Sequence, residues 1–396
     1  VAQRALRAHL CRCTGWQPIV DAWVAFPNVD PDRTAGSGRG GADRVAADRR
    51  ATLEGGSPQW TGPRVARGEG GFADDTAPPD ALVAVRRGDG QGWAVGETLT
   101  EARSEAGKVQ GRRSTARWGP PREVPAGDWA VTLRTSWVEP AYLETDASWC
   151  SPGGEPASPL ANGGAFGAKT ATDVAATARR LADEHGRAVR VLWSREDVIR
   201  HGPKRPPVAI GMRPDGTGAM RVVRTPGVAE VIAAVAPGLD VQEVDVAGPP
   251  TSVSIRGAGW VEALVARAGA RGEVSTVTSP AGGVAEVAIG SDGSISVTVD
   301  AGEVLDETVL RSYSTGAAHM AWSWVTSESL GVDEHGEVRD LTLRSLGIAP
   351  AASMPPVHVE IAVGAGEPVN GSDAVFAAVA AAVWLDRGCP TDWPDR

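Results

Sequence analysis

After Trp129, short strand patterns and helix patterns follow one another in no regular order. This irregular order restricts the possible folds more than any other feature of the sequence. Strand-like runs occur at residues 130–133, 189–192, 284–289 and 295–299, and the last two are joined by a hairpin turn that contains Asp292-Gly293. Helical spacing occurs at residues 172–185 and 372–385. A doubly wound parallel sheet needs a regular βαβ alternation, which this order does not provide. The sequence therefore predicts an α+β fold.

The length of 396 residues predicts two or three domains. Two short helices that meet near a pair of cysteines are expected in residues 1–26. Residues 27–63 are rich in Gly, Arg, Asp and Pro and have no apolar period, so they are predicted to be a linker. A small α+β unit is expected at 64–126 and a larger mixed domain at 127–389. The chain begins with Val1 and has no leader-like run, so it is expected to be a fragment of a longer polypeptide.

Composition and charge exclude several functional classes. The net charge is -10, and the arginines are scattered among acidic residues, so nucleic acid and anionic membranes are not expected partners. No run of about 18 apolar residues is present to span a bilayer. Four cysteines are too few and too unevenly spaced for a disulfide framework, which favours a reducing cytoplasm: Cys11, Cys13, Cys150 and Cys389.

The segment from His9 to Ile19, H-L-C-R-C-T-G-W-Q-P-I, carries the most specific motif. Two thiols one residue apart at a break between helices suit an iron-sulfur cluster, although a bare C-x-C is more often a chance pair. This stretch resembles the second half of the [2Fe-2S] domain in the xanthine dehydrogenase and aldehyde oxidase family. The resemblance implies that Cys11 and Cys13 bind the cluster and that residues 1–26 are the C-terminal part of that helical domain. It also implies two further ligands from a C-x-x-C upstream of Val1.

A glycine-rich loop, G-G-A-F-G-A-K at 163–169, is the second motif. A loop of this kind is usually a turn, but the loss of the Cβ atom also lets backbone approach a cofactor closely. Together with the preceding E-P-A-Y-L-E at 139–144, it resembles the molybdopterin-binding subunit of the same family. That resemblance makes the 64–126 unit hammerhead-like and 127–389 a molybdopterin-binding domain. The cofactor-binding residues it implies are Gly163, Gly164, Ala165, Phe166, Gly167, Gly316 and Ala317.

Two residues are candidates for the chemistry. Arg256 lies in I-R-G-A-G-W-V-E, which resembles the family's substrate-facing arginine motif, although a surface arginine beside a turn is equally expected. Glu367 lies in G-A-G-E-P, which matches the family's motif for the catalytic base, although a surface turn explains it about as well. His319 lies on an apolar helical face and is expected to be a core residue.

The resemblance as a whole implies an oxidoreductase subunit with a short helical iron-sulfur remnant followed by a mixed molybdopterin-binding domain. Its cofactors would be a [2Fe-2S] cluster and molybdenum-molybdopterin cytosine dinucleotide. Its small-molecule substrate would be a purine, another N-heterocycle or an aldehyde, oxidised with water as the oxygen source, and a flavin or other electron-transfer subunit would receive the electrons. A non-catalytic accessory subunit that has lost the pterin site is the alternative.

Overall fold

The computed structural model describes residues 2–6, 9–26, 41–60, 65, 67–88, 90–107, 113–119, 123–160, 165–274, 276–333, 335–339 and 342–394. The α-helices are α1 Ala2–Ala5, α2 Gln17–Ala25, α3 Gly41–Gly55, α4 Leu99–Glu105, α5 Val174–His185, α6 Arg195–His201, α7 Val228–Val235, α8 Trp260–Arg271, α9 Glu307–Thr326 and α10 Ser372–Asp386. Three 3-10 segments cover Asp74–Thr76, Ala165–Ala171 and Leu343–Leu346.

The strands in the described ranges are β1 Leu82–Arg86, β2 Trp93–Gly96, β3 Arg113–Arg117, β4 Val131–Thr135, β5 Ala147–Cys150, β6 Val189–Leu192, β7 Val208–Met212, β8 Gly218–Val223, β9 Leu239–Val244, β10 Val277–Thr278, β11 Val284–Ile289, β12 Ile295–Asp300, β13 Gly331–Val332, β14 Glu337–Arg339, β15 Val357–Ile361 and β16 Asp392–Trp393. They form sheets in the orders β2-β1-β6-β5, β10-β11-β12-β15, β13-β14-β3 and β16-β4-β7-β8-β9. Parallel and antiparallel pairs occur within one sheet, which confirms the α+β class.

The main core lies around α10, which packs against α8, α9 and the sheet that contains β11. Alanine and valine fill most of α10 on every side, so the helix is buried all round rather than amphipathic. Trp324 of α9 stacks on Phe376 of α10 with ring centroids 5.3 Å apart. This stacking joins the C-terminal end of α9 to the N-terminal part of α10, which lies beside the loops that form the site.

The hairpin has the register expected from the sequence, with Ile289 opposite Ile295. Strand β6 has the predicted bounds, and α5 ends at Gly186 in the left-handed conformation, as expected. The N-terminal end of α5 differs from the expectation. Asp173 does not cap the helix, because its carboxylate pairs with Arg86 at 2.6 Å.

The predicted linker at 27–63 is wrong for part of its length, because residues Gly41–Gly55 form helix α3. Ala47 and Ala51 of α3 pack on Val309 and Tyr313 of α9. Residues 27–40 and 61–63 of the proposed linker lie outside the described residues.

The predicted boundary between 126 and 127 does not separate two sheets. Strand β1, from the proposed small unit, pairs in parallel with β6 from the proposed large domain, and Leu82 lies opposite Val189. The two regions therefore share one sheet, which makes this part of the chain one structural unit. In the part of the chain that the structure describes, no helix is both long and apolar enough to cross a membrane.

Candidate active site

A cavity of about 370 Å³ lies where loops from distant parts of the chain meet. Its walls include residues from the segments 12–13, 54–59, 142–144, 165–170 and 254–256, together with Phe72 and Leu160, with Ser312 and Tyr313 of α9, and with Asp373 of α10. The volume is in the range that small-molecule sites have. Apolar side chains and a few charged ones alternate along the wall, which is the usual chemistry of such a site.

The described part of the glycine-rich loop has unusual backbone geometry. Ala165, Phe166 and Gly167 have φ angles of 53°, 57° and 88°, and positive values are costly for residues that carry a Cβ atom. A Cβ atom on Gly167 would lie 1.5 Å from the carbonyl oxygen of Ser254, so only glycine fits there. The carbonyl of Phe166 accepts a hydrogen bond from the backbone N–H of Arg256 at 3.0 Å. Gly163 and Gly164 lie outside the described residues.

Arg256 lines the cavity and is held from two directions. Its Nε donates to Asp373 at 3.0 Å, and its Nη2 donates to the Ser372 hydroxyl at 3.0 Å. Burial raises the pKa of Asp373, and the positive charge of Arg256 opposes that rise. The guanidinium is therefore fixed at the start of α10 and keeps one face toward Phe166.

Glu144 contributes a carboxylate to the cavity wall. It belongs to the 139–144 motif, but the sequence predicted no role for it. It forms an ion pair with Lys169, which is only 3% exposed, and Lys169 lies 5.3 Å from the centre of the Tyr142 ring. Its Oε1 is buried and has no hydrogen-bond partner among the described protein atoms. Desolvation raises the pKa of Glu144, while the neighbouring Lys169 lowers it. A buried carboxyl with a raised pKa and an unused oxygen can accept a proton or a ligand N–H.

Glu54 of α3 is the second cavity carboxylate that the sequence did not reveal. Its two oxygens accept the backbone N–H groups of Gly371 and Ser372 at 3.1 and 3.0 Å, and its neighbour Arg50 donates to it at 3.2 Å. Arg50 also donates to four backbone carbonyls, at Ala301, Glu303, Val304 and Val369. These bonds join α3 to the loop that precedes α10.

The predicted metal ligands lie in a loop packed on α9. Cys13 lines the cavity, and its side chain is exposed. Cys11 is in weak contact with the Thr14 hydroxyl, at 3.9 Å. Gly316 of α9 lets the loop approach closely, since a Cβ atom there would lie 1.8 Å from the Cys13 carbonyl oxygen. The buried Arg12 fixes the loop by pairing with both oxygens of Glu328.

These two thiols do not by themselves fit a [2Fe-2S] cluster, which needs four thiolates or equivalent ligands. Within the described ranges, no group of three or more His, Cys, Asp or Glu side chains is arranged to hold a metal ion. Cys150 lies in the core of the first sheet, and Cys389 packs at the edge of the main core. Any complete cluster would therefore need ligands from outside the described residues.

The structure brings some of the predicted site residues together and leaves others apart. Ala165, Phe166, Gly167, Arg256 and Cys13 line the same cavity. Glu367 is exposed and does not line it; its carbonyl packs against Gly302, and the neighbouring Gly366 carbonyl accepts the N–H of Glu303. Gly316 supports Cys13 from α9, and Ala317 is buried in the main core. His319 is buried, as expected, and its ring meets the Trp16 ring edge to face, with centroids 5.9 Å apart.

The charges of the cavity decide which part of a pterin dinucleotide it suits. The apolar rings and the unpartnered Glu144 Oε1 fit a planar heterocycle that carries N–H groups. A pyrophosphate needs cations, and each basic side chain on the described wall already has a carboxylate partner: Arg12 with Glu328, Lys169 with Glu144, and Arg256 with Asp373. The described residues therefore fit the ring portion of such a cofactor and supply no unpaired cation for its phosphates.

Comparison with known proteins identifies the fold. The sequence matches no family model and no curated protein. The aldehyde oxidoreductase from Desulfovibrio gigas is similar in structure, with a TM-score of 0.58 and 12% identity over 96% of this chain and 83% of that one. The aldehyde oxidoreductase from Desulfovibrio desulfuricans has a TM-score of 0.55 and 10% identity, covering 94% and 82%. The CO dehydrogenase from Oligotropha carboxidovorans has a TM-score of 0.54 and 10% identity, covering 85% and 94%. The chain therefore has the fold of these oxidoreductases.

Proposed function

We propose that this chain is an oxidoreductase subunit of the molybdenum hydroxylase type and that the cavity at Arg256 is its reaction site. One observation carries the proposal. Phe166, Arg256 and Cys13 come from three separate motifs of the same resemblance, and they line a single cavity in a chain with the fold of aldehyde oxidoreductases. Purely structural motifs have no reason to converge in this way.

The proposed reaction converts a C–H bond of an aldehyde or an N-heterocycle into C–OH. Water supplies the oxygen, and two electrons and two protons are released. When bound, the molybdenum-molybdopterin cytosine dinucleotide would supply the two-electron oxidation. The chain's own residues would bind and orient the substrate and take up a proton.

Each role follows from the position of the residue. The guanidinium of Arg256 is held rigidly and can stabilise a carbonyl oxygen that gains negative charge. Phe166 and Tyr313 offer apolar surface to a planar ring and keep water away from it. Glu144 is placed on the wall to accept a proton, because its Oε1 is unused. Glu367, the proton acceptor that the sequence motif predicts, does not line the cavity and is the rival assignment to Glu144.

Electron transfer away from the cavity would use the loop that carries Cys11 and Cys13. Since Cys13 lies on the cavity wall, a cluster held there would be adjacent to the bound cofactor. A flavin or other electron-transfer subunit would be the acceptor, and the other two cluster ligands would have to come from outside the described residues.

A non-catalytic accessory subunit is the alternative candidate, and the paired cations are the observation that is consistent with it. A pterin site that had lost its phosphate contacts would be expected to neutralise its remaining basic side chains internally, as Arg256, Lys169 and Arg12 do. The fold would then be retained for assembly with a catalytic partner.

Cofactor content separates the two candidates. The full chain is produced in a host that makes molybdenum cofactor, then assayed for molybdenum, iron and released pterin, and for oxidation of aldehydes and N-heterocycles with a dye acceptor. The proposal predicts molybdenum and pterin near one per chain in the parent. It also predicts that Phe166→Ala contains clearly less molybdenum and pterin than the parent, because the substitution removes an aromatic ring from the cavity wall and leaves no charged side chain unpaired. Phe26→Ala is the matched control, since Phe26 is 76% exposed and does not line the cavity. A folded protein without molybdenum and pterin supports the accessory subunit.

A further inference from the structure

A second, smaller chamber lies behind Phe166. Its volume is about 20 Å³, which is enough for one water molecule. Phe166, Arg256 and Arg12 line both this chamber and the large cavity, so the two spaces are neighbours. The rest of its wall includes Glu139, Arg205 and Trp324.

Three of the lining residues carry buried polar atoms with no hydrogen-bond partner among the described protein atoms. Arg205 Nε and Glu139 Oε2 are among these atoms but lie within ion-pair distance of Glu262 and Lys204, which leaves three atoms without any partner: Nη2 of Arg205, Nε1 of Trp324 and Oε1 of Glu139. All three residues are at least nine-tenths buried, with exposures of 4%, 2% and 2%. An unpaired buried polar atom is costly, and three on the wall of one small chamber point to a missing partner.

The chemistry of the three atoms selects the partner. Two are N–H donors and one is a carboxylate acceptor, so the occupant must accept two hydrogen bonds and donate at least one. A halide ion accepts but cannot donate, and it would be repelled by Glu139. An apolar molecule could do neither. Water satisfies all three atoms, and buried waters typically make about three hydrogen bonds.

The surrounding charges are already balanced, which also argues against an ion. Arg205 pairs with Glu262 at 2.8 Å, and Glu139 pairs with Lys204 at 2.9 Å. Arg12 and Arg256 are neutralised by Glu328 and Asp373. A neutral occupant leaves this balance intact.

We propose that the chamber behind Phe166 is a binding site for one resident water molecule, held by Arg205, Trp324 and Glu139. Phe166 is one of the three residues shared with the large cavity, and its aromatic ring separates the resident water from that cavity. The site is independent of the proposed cofactor, because every residue that forms it belongs to the described chain.

Two measurements on the full chain without added cofactor test the proposal. A crystal structure grown with bromide is expected to show one peak within hydrogen-bond distance of Arg205 Nη2, Trp324 Nε1 and Glu139 Oε1, with no anomalous signal. An empty chamber, or a bromide signal at that position, would overturn it. Oxygen-17 relaxation dispersion in solution counts long-lived waters and needs no crystal.

Val138 lines the chamber, and Val138→Ile adds a methylene that would occupy the space of the water. The variant is expected to lose one long-lived water and to unfold at a lower temperature, since three polar atoms lose their partner. If the chamber is dry, the number of long-lived waters should not change. The midpoint temperature of unfolding should then stay equal or rise, because the methylene fills a void. Val363→Ile is the control, since Val363 is 95% exposed.

A second variant keeps the test decisive if Val138→Ile does not fold. Phe166→Ala removes the one aromatic side chain among the three residues that line both spaces and leaves the three polar atoms in place. The water is expected to exchange at least tenfold faster in this variant while its crystallographic peak remains. An unchanged residence time would show that Phe166 does not separate the chamber from the cavity.

Discussion

The guanidinium of Arg256 lies 5.3 Å from the centre of the Phe166 ring, and the backbone of the same two residues is joined by a 3.0 Å hydrogen bond. The cation and the aromatic face therefore form one unit, built from two loops that are distant in the sequence. This unit stands between the large cavity and the inner chamber, so changes to it should affect both.

Arg256→Met should lower both stability and turnover. The substitution leaves Asp373 without its partner, and we expect a loss of roughly 3 kcal/mol, the low end for a broken buried pair because the Asp373 side chain keeps 28% exposure. Denaturant unfolding measures this change. Arg224→Met is the control, since its pair with Asp245 is exposed and should be worth less than about 1 kcal/mol. Equal effects in the two variants would contradict the structural role of Arg256.

Glu144→Gln and Glu367→Gln distinguish the two candidate bases. If Glu144 is the proton acceptor, its variant should lose about 100-fold or more in turnover, and Glu367→Gln should stay within about threefold of the parent. Because burial raises the pKa of Glu144, the acid limb of the parent's pH profile should lie above the usual range for a glutamate. Glu360→Gln, at an exposed position on β15, controls for non-specific loss. The reverse pattern would assign the role to Glu367.

His319 predicts a pH-dependent loss of stability. Desolvation in the core, helped by the nearby charge of Arg12, lowers its pKa to about 3 from 6.5. Between pH 6.5 and about 3, the unfolded chain binds a proton at this histidine and the folded chain does not. The free energy of unfolding therefore falls as the pH falls through this range. The expected slope is up to about 1.4 kcal/mol per pH unit.

His319→Gln should remove this one-proton contribution, and urea titrations at several pH values measure it. Above pH 7 the free energy of unfolding should depend on pH in the same way in parent and variant, because both side chains are then neutral. This range provides an internal control. A slope identical to that of the parent below pH 6 would reject the assignment.

Gly316→Ala should detach the cysteine loop from α9. In an ordinary helix this change gains about 1 kcal/mol, but here the new Cβ atom would lie 1.8 Å from the Cys13 carbonyl oxygen. We expect faster hydrogen exchange in residues 9–26, with α9 itself still protected. Gly366→Ala, where nothing lies within 4 Å of the added carbon, should leave exchange in that segment unchanged. Full protection in Gly316→Ala would show that the loop is not held by this contact.

Local patterns predicted much of the fold. The hairpin, β6 and the C-terminal end of α5 follow from side-chain alternation and from a glycine after the helix. Helix α3 could not be predicted in this way, since its few apolar residues make no clear stripe. Its packing on α9 and the buried pair of Arg50 with Glu54 stabilise it instead. Such contacts depend on residues far along the chain, which no local pattern contains.

The candidate site was predicted where a motif supplies the residue directly, as for Phe166 and Arg256, which line the cavity. Glu54 and Glu144 were missed because their position in the cavity depends on how α3 and the 142–144 loop pack. Glu367, the predicted catalytic base, does not line the cavity, since a short motif match contains no information on which way its loop faces.

The pairing of Arg12 with Glu328 has a consequence for how the chain is made. The two residues are 316 positions apart, and Arg50 contacts Val369 across a similar separation of 319. At about 5 to 20 residues per second, a ribosome needs roughly 15 to 60 seconds to produce that interval. Throughout this time Arg12 lacks its carboxylate partner Glu328, Arg50 lacks its distant carbonyl partners, and the surface on which the segment docks is not yet synthesised. Packing of the N-terminal segment onto the rest of the chain therefore comes late in synthesis, and a chaperone that shields the segment has roughly 15 to 60 seconds in which to act.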